Sequence, residues 1–545
     1  MTSTFRLLLS AVIIVALGTL VSCKRYASPE AIAAYDVLIP KPVSAAVEGN
    51  GVFMITDETR IVSDDSKEVI AVAQYLADMI SRPTGFNFTV ETAPAEEEVI
   101  VLTLSGADPQ LGDEGYELTV TEKQVKIVAN KPAGLFYGVQ TIRQLLPDRI
   151  EKKIKQGAIP WEIATGTIRD QPTYSWRGSM LDVARHFFSV EDVKRYIDLM
   201  AAYKMNVFHL HLSDDQGWRI EIKSWPNLAT IGGTTQVGGG KGGYYTQEQY
   251  KEIVAYAQQR FITVIPEIDL PGHINSALAS YGELNGGIIV PEEGRYKGKT
   301  SPQADLGSPN KPTELYTGIE VGWSTLRLEK PVTFQFVDDV MRELAAITPG
   351  PYLHIGGDEA HVTKKEDYIQ FINRFKEIVR SHGKQMIGWE EIAQGDLDEN
   401  VIAQHWNSPK YPVMAAEKGA KVLMSPSKKV YLDMQYDSTS RIGLHWAAYI
   451  EVEDSYNWDP ATRVEGVDSR QVVGVEAPLW GETITNMNDI EYLLFPRLPG
   501  IAEVAWTPVA QRDWETYKER LGKHGRRMKM MEIDFYRSPQ IEWAE

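Results

Sequence analysis

Carboxylates, imidazoles and indoles recur at the ends of short apolar runs in this chain: Asp182 with Arg185, His211 with Asp214, Glu267 with Asp269 and His273, Asp358-Glu359, Trp389-Glu390, Trp406, Asp433, and Trp480 with Glu482. Charges that only solvate a surface would scatter over helices. Charges that follow strand ends can converge, and convergence predicts one pocket with several carboxylates, an arginine, histidine and tryptophans. Paired carboxylates beside flat aromatic faces suit glycosidic hydrolysis, where an acid protonates the leaving oxygen. Asp358 and Glu359, inside HIGGDEAH, are the foremost pair. They are neighbours, however, and adjacent strand residues point to opposite sides. That is a poor placement for nucleophile and acid about one anomeric carbon. A 2-acetamido sugar evades the problem because its carbonyl oxygen can be the nucleophile. One carboxylate then steadies the acetamide, and the other serves as acid and later as base. A buried acid near an apolar wall should have a raised pKa.

Something must bring these ends together. Short apolar stretches lie at 179–183, 206–212, 263–268, 352–355, 385–388, 401–404, 422–424 and 472–475. Helical periodicity at 190–203, 246–260, 332–346, 364–381 and 490–505 separates most of them. This alternation predicts an α/β fold, a (β/α)8 TIM barrel over 170–510 whose strand C-termini share one mouth. The seventh unit is blurred around 424–434. A Gly-rich stretch at 232–243 and a long one at 280–330 read as loops over that mouth. Upstream, alternating runs at 98–104 and 116–120 with helical patterns at 67–79 and 134–146 predict a small α+β domain over 36–165. It gathers no catalytic residue types and reads as support. Residues 511–545 read as a charged helical C-terminal extension.

The chain has 545 residues, enough for two or three domains, and 43 % hydrophobic residues, enough for sizeable cores. A formal net charge of −18 argues against a nucleic-acid partner, which needs a basic patch. Arg6 precedes an apolar run ending in Leu20-Val21-Ser22-Cys23, too short and one-sided for a stable span. Cys23 is the only cysteine, so it has no internal disulfide partner. The pattern resembles a bacterial lipoprotein signal: residues 1–22 removed, Cys23 lipidated, 23–35 a tether. The protein is then expected to be exported and held on a bacterial membrane, its body soluble.

Seven segments in order resemble glycoside hydrolase family 20, the β-N-acetylhexosaminidases: LDVARHF (181–187), HLHLSDDQGWR (209–219), EIDLPGH (267–273), HIGGDEAH (354–361), GWEE (388–391), YLDM (431–434) and EAPLWGE (476–482). From LIPKP (38–42) to GLFYGVQTIRQLLP (134–147), the first domain is similar to the family's N-terminal one. The resemblance implies an exo-acting retaining enzyme that removes terminal GlcNAc or GalNAc from oligosaccharides or glycoconjugates without metal or organic cofactor. It implies Glu359 as acid/base, Asp358 as the carboxylate holding the acetamide nitrogen, and Tyr431 as donor to the acetamide oxygen. Arg185, Asp433 and Glu482 would hold hydroxyls, and Trp389, Trp406 and Trp480 would wall the pocket. Asp214 and His273 look like a relay that tunes Glu359.

Plainer readings stand beside these. Asp182 reads as structural. Asp215, Glu390, His354 and His361 read as framework, and Gly356-Gly357 as a place where backbone approaches closely. His209 and His211 form an H-x-H on one strand face, which also suits a metal-dependent amidohydrolase. The glycines at 238–243 lack the Lys-Ser/Thr ending of a phosphate loop.

Overall fold

The structure, a computed structural model, describes residues 25–291 and 309–544. Cys23 and the signal segment before it lie outside the described residues. Among those described, no helix is long and apolar enough to cross a membrane.

The first unit is a seven-stranded mixed sheet. Its order is Ser44–Met54, Glu162–Asp170, Tyr116–Val120, Gln124–Ala129, Val99–Thr103, Arg60–Ser63 and Val90–Glu91. Helix Lys67–Thr84 starts on the Ser66 cap and stops where Gly85 turns left-handed at φ 70°. Helix Pro132–Leu145 is buried on nearly every side. Gly138 lets it press on the sheet, since a Cβ there would stand 2.6 Å from Ile127. Phe136 and Tyr137 of the same helix meet Phe261 and Trp506 of the barrel. The supporting domain is thus cemented to the barrel by a helix buried on nearly every side.

Two expected boundaries shift. The last strand of the sheet runs to Asp170, beyond the expected 165, because Asp170 is itself tied down. Its side chain accepts hydrogen bonds from Trp506, Tyr116 and Lys204. The expected tether over 23–35 ends before Ser28, which caps a helix at Pro29–Ala33. Tyr35 then buries its ring and donates to the Ala164 carbonyl.

The second unit is a closed parallel barrel of Trp176–Asp182, Val207–His211, Thr263–Glu267, Tyr352–His354, Gln385–Trp389, Ile402–His405, Lys421–Met424 and Val472–Leu479. Each overlaps one expected run. The helical layer departs from eightfold repetition. After the fifth strand there is only a 3-10 turn, Glu390–Gln394, and the seventh strand leads to two short helices, Ser427–Val430 and Val452–Tyr456, parted by a long loop. The expected helix at 490–505 is two, Met487–Leu494 and Arg497–Trp506, parted at Pro496, which lacks the amide a continuous helix needs.

The 511–545 segment is less an extension than a brace. Helix Trp514–Met530 sends Arg520 to Glu503 and the Leu38 carbonyl, and Arg527 to Glu151 and the carbonyls of Arg143, Gln144 and Leu146. Its charged residues join the two units.

Strand alternation layers the barrel interior. Trp176, Val207, Ile265, Ile387, Ile402 and Leu423 form a buried apolar plug at the strand starts. Two residues further along come His209, Glu267, Trp389 and Gln404, all buried. The mouth opens above them.

Candidate active site

A cavity of about 180 Å³ at the mouth is lined by Arg185, His273, Asp358, Glu359, Trp406, Tyr431, Asp433, Trp480 and Glu482, with Ile319, Val321, Leu444 and Trp446. Nine of the residues singled out from sequence therefore meet in one place.

The fourth strand ends at His354, and Gly356 and Gly357 follow at φ 67° and 101°. Only glycine fits at 356, where a Cβ would stand 1.8 Å from Asp269 Oδ1. Asp269 in turn accepts the Gly357 amide at 3.0 Å. This turn carries Asp358 and then Glu359, itself at φ 44°. The pair is therefore not on a strand, and strand alternation does not separate the two side chains. Both face the His273 Nε2 atom, Glu359 at 3.5 Å and Asp358 at 3.7 Å. The objection to direct displacement stands on other ground. Two carboxylates meeting at one ring nitrogen approach from one side, whereas nucleophile and acid must flank the anomeric carbon.

His273 is held from behind by Asp214. Its Nδ1 lies 3.2 Å from Asp214 Oδ1, and Asp214 Oδ2 accepts from Arg185 at 2.9 Å and faces His211 at 3.0 Å. Burial pushes Asp214 up, but the charges of Arg185 and His273 and the His211 hydrogen bond hold it far below the carboxylate range. His273 is raised well above its ordinary value: burial opposes this, and Asp214, Asp269 and Asp358 outweigh it.

The expectation of a raised pKa on Glu359 is reversed. Burial lifts Glu359, but the hydrogen bond and charge of His273, with His361 and Arg185 beyond, bring it below its ordinary value. The raised group is Asp358, which burial lifts to about 6; His273 lowers it, and Glu359 and Glu267 raise it. Glu359 stands nearer the imidazolium, and its side chain is 25 % exposed, so burial opposes its charge less than that of Asp358.

Arg185 bonds Asp182 at 3.1 Å and lies 5.0 Å from the Trp480 ring centroid. Asp182 also accepts the amides of Ala184 and Gly481, a structural role. Both Asp433 oxygens, Glu482 Oε2, Arg185 Nε and Asp358 Oδ1 are buried without a protein partner. Buried polar atoms are normally paired. Here they ring the cavity, where a polyhydroxylated ligand would satisfy them. Glu390 is framework: it takes the amides of Trp406, Asn407 and Ser408 and faces His405. Asp215 likewise accepts from Asn275 and Ser324.

Trp389 is not a wall of the cavity. It is buried behind Trp480, ring centroids 5.6 Å apart, and donates to Glu267 at 2.8 Å. Trp446, which the sequence reading passes over, lines the cavity instead and is 55 % exposed, edge-on to Trp406 and Tyr431. It follows the blurred seventh strand, where no periodicity marks it; an aromatic in a loop after YLDM was the available signal. Ile319 and Val321 come from the long loop after the third strand.

Each nitrogen of the H-x-H pair stands against a buried carboxylate, while His209, Glu267 and His354 lie close enough together to hold a metal ion. His209 Nδ1 and Nε2 stand 2.8 and 2.9 Å from Glu476 and Glu267, and His211 Nδ1 and Nε2 stand 2.5 and 3.0 Å from Glu267 and Asp214.

The family model for glycosyl hydrolase family 20, catalytic domain, matches residues 174–509, and that for the family's domain 2 matches residues 36–171. The β-N-acetylhexosaminidase of Cellulomonas fimi is 40 % identical over 513 residues, covering 93 % of this chain and 97 % of that protein. The Streptomyces plicatus N-acetyl-β-hexosaminidase structure in complex with Thio-NAglucal is similar at TM-score 0.86 and 48 % identity, covering 94 % of this chain and 98 % of that one. The Streptomyces coelicolor A3(2) β-N-acetylhexosaminidase matches at TM-score 0.86 and 47 % identity, over 94 % and 99 %. With both family models matched along the chain and relatives this similar over nearly its whole length, the chain belongs to glycosyl hydrolase family 20.

Proposed function

We propose that the cavity takes one terminal 2-acetamido-2-deoxy-β-hexopyranoside and cleaves its glycosidic bond with the substrate's acetamide oxygen as nucleophile. The enzyme is an exo-acting, retaining β-N-acetylhexosaminidase. One observation carries this reading: Asp358 and Glu359 meet on the same imidazole inside a cavity of about 180 Å³, rimmed by unpartnered carboxylate and guanidinium atoms. Such a space suits one sugar ring. Arg185, Asp433 and Glu482 hold its hydroxyls, Trp480 its face, and Trp406 with Tyr431 its acetamide.

The proton inventory follows from the electrostatics. His273 holds a proton and Glu359 is held ionised beside it. The acid is therefore the His273–Glu359 pair. As the acetamide oxygen attacks the anomeric carbon, His273 Nε2 passes its proton to Glu359, which hands it on to the glycosidic oxygen as the bond to the leaving group breaks. Ionised Asp358 accepts the acetamide N–H and stabilises the cationic oxazolinium ring. Water then attacks the anomeric carbon, its proton passes to Glu359 and back to His273, and two inversions give retention. The S. plicatus relative has also been described with GlcNAc as product. Glu359→Gln tests the assignment: on glycosides with poor leaving groups kcat should fall about 10²–10⁴-fold, with far smaller loss on activated aryl glycosides. Unchanged turnover of the poor substrates contradicts it.

We also propose that Cys23 carries a lipid anchor at a bacterial membrane. The support is its position as the sole cysteine at the end of the apolar leader. Cys23→Ser should move the enzyme from the membrane to the soluble fraction and abolish labelling by a fatty-acid probe; persistent labelling overturns the anchor.

A further inference from the structure

The mechanism uses the near end of a longer chain of charged groups. Beyond Asp214, His211 Nδ1 stands 2.5 Å from Glu267 Oε2, and the same oxygen lies 2.9 Å from His209 Nε2. His209 Nδ1 then meets Glu476 Oε1 at 2.8 Å. Carboxylate and imidazole so alternate from Glu476, in the barrel interior, to Glu359 at the cavity; four of the contacts are hydrogen bonds, and two, His209 Nε2 to Glu267 and His273 Nε2 to Glu359, are ion pairs. Every member before Glu359 is buried. Strand geometry builds the chain: His209 and His211 share one face of the second strand, Glu267 ends the third, and Glu476 sits on the eighth.

The deep end is closed. Glu476 accepts Trp176 Nε1 at 3.0 Å and Gln404 Nε2 at 2.9 Å, both neutral donors. The chain is thus no conduit to solvent. It is a fixed charge pattern: three buried carboxylates, Glu476, Glu267 and Asp214, matched by three imidazoles, His209, His211 and His273. A buried charge without its partner is costly, so alternation keeps each ring protonated. Its joint also holds the sugar site. Glu267 accepts from Trp389, His211 meets the Trp480 ring edge-on at 5.0 Å, and Asp214 holds Arg185.

We propose that His211 and Glu267 are positioning residues for the reaction, joints of a buried carboxylate–imidazole chain that sets how tightly the His273–Glu359 pair holds its proton. This rests on the reading of Glu359 as acid and base. Glu267, Asp214, Asp182 and Asp269 face His211, and His209, His211, His354, Asp269 and Asp358 face Glu267. His273, His361, Arg185 and Asp358 face Glu359, and Asp269 faces His273 and Asp358. Burial works against the rings, yet the carboxylates raise His209 to about 9 and His211 well above its ordinary value. Burial lowers His354, working against the charge of Glu267, which raises it.

The test compares pH profiles of kcat/KM on a poor-leaving-group glycoside for the wild-type enzyme, Glu359→Gln and His211→Gln. In His211→Gln the amide still reaches Asp214 but the positive charge is gone. Losing that charge strengthens the pair's hold on its proton, so the basic limb should move up by about one pH unit, with kcat/KM down at least tenfold at neutral pH. An unmoved limb overturns the proposal, even if activity falls. A basic limb that persists in Glu359→Gln instead overturns the acid assignment itself, so the two failures are distinct. Imidazole 15N shifts of the wild-type enzyme give a reading that needs no variant: at pH 8 His209 and His211 should be doubly protonated, and neutral rings would overturn the chain.

Discussion

The two ends of the barrel interior are built on the same strands and obey opposite rules. On the second strand Val207 belongs to the apolar plug, while His209 and His211 belong to the charged chain. On the third, Ile265 is plug and Glu267 is joint; on the fifth, Ile387 is plug and Trp389 hangs from Glu267. Two residues, one repeat of the pleat, separate a layer held by dispersion and water exclusion from a layer held by paired charge. The lesson is a division of labour. The plug supplies stability that does not depend on protonation, and that permits a dry, charged layer directly above it. The sheet domain repeats the plug's chemistry, through Phe136 and Tyr137, and none of the mouth's.

That contrast breaks first at the mouth. Asp358→Asn keeps shape and loses charge, so kcat should drop about 10²–10³-fold, the loss seen when a positioned electrostatic group is removed. The melting temperature should hold or rise, since a buried charge is relieved. Steady-state kinetics and thermal unfolding check both; a fall in stability with kcat preserved would place Asp358 in the scaffold instead. The same group sets the acid limb. Asp358 works as an anion and is lifted to about 6, so kcat/KM should fall as pH drops through about 6, roughly tenfold per unit below it. A profile flat to pH 4 would contradict that role.

At the other end, Ile265→Ala should cost about 2–5 kcal/mol of stability by leaving a cavity in the plug. Its kcat, measured well below the melting temperature, should stay within about twofold of wild type. Loss of kcat without loss of stability would blur the division. The smallest effect belongs to Trp446→Ala. This side chain is half exposed at the rim, so stability should change by no more than about 0.5 kcal/mol. KM should rise a few-fold with kcat little changed.

Much of this arrangement was legible in the sequence because it is local. Apolar runs of strand length announce all eight strands, and residues such as Arg185 and Glu482 sit just past their ends. What was not legible depends on distance in space. Nothing local says that Gly356, pressed against Asp269, turns the chain so that Asp358 and Glu359 reach one nitrogen of His273. The sign of the Glu359 shift followed from the same contact: burial alone predicts a rise, and a single imidazolium reverses it. Trp389 and Trp446 exchanged roles because a tryptophan at a strand end and one in an irregular loop look alike until the rings around them are placed. Ser28–Tyr35 read as tether because one helical turn has too few residues to show a period.

The central claim is that the nucleophile belongs to the substrate. It is tested most directly by a series of aryl glycosides whose N-acetyl group carries zero, one, two or three fluorines. Fluorine weakens the carbonyl oxygen as a nucleophile while leaving the leaving group and the sugar unchanged. The account predicts that kcat/KM falls steeply and steadily along the series, by orders of magnitude from acetyl to trifluoroacetyl. A series that stays flat would mean that a protein carboxylate attacks the anomeric carbon, and the assignment of Asp358 would then be wrong.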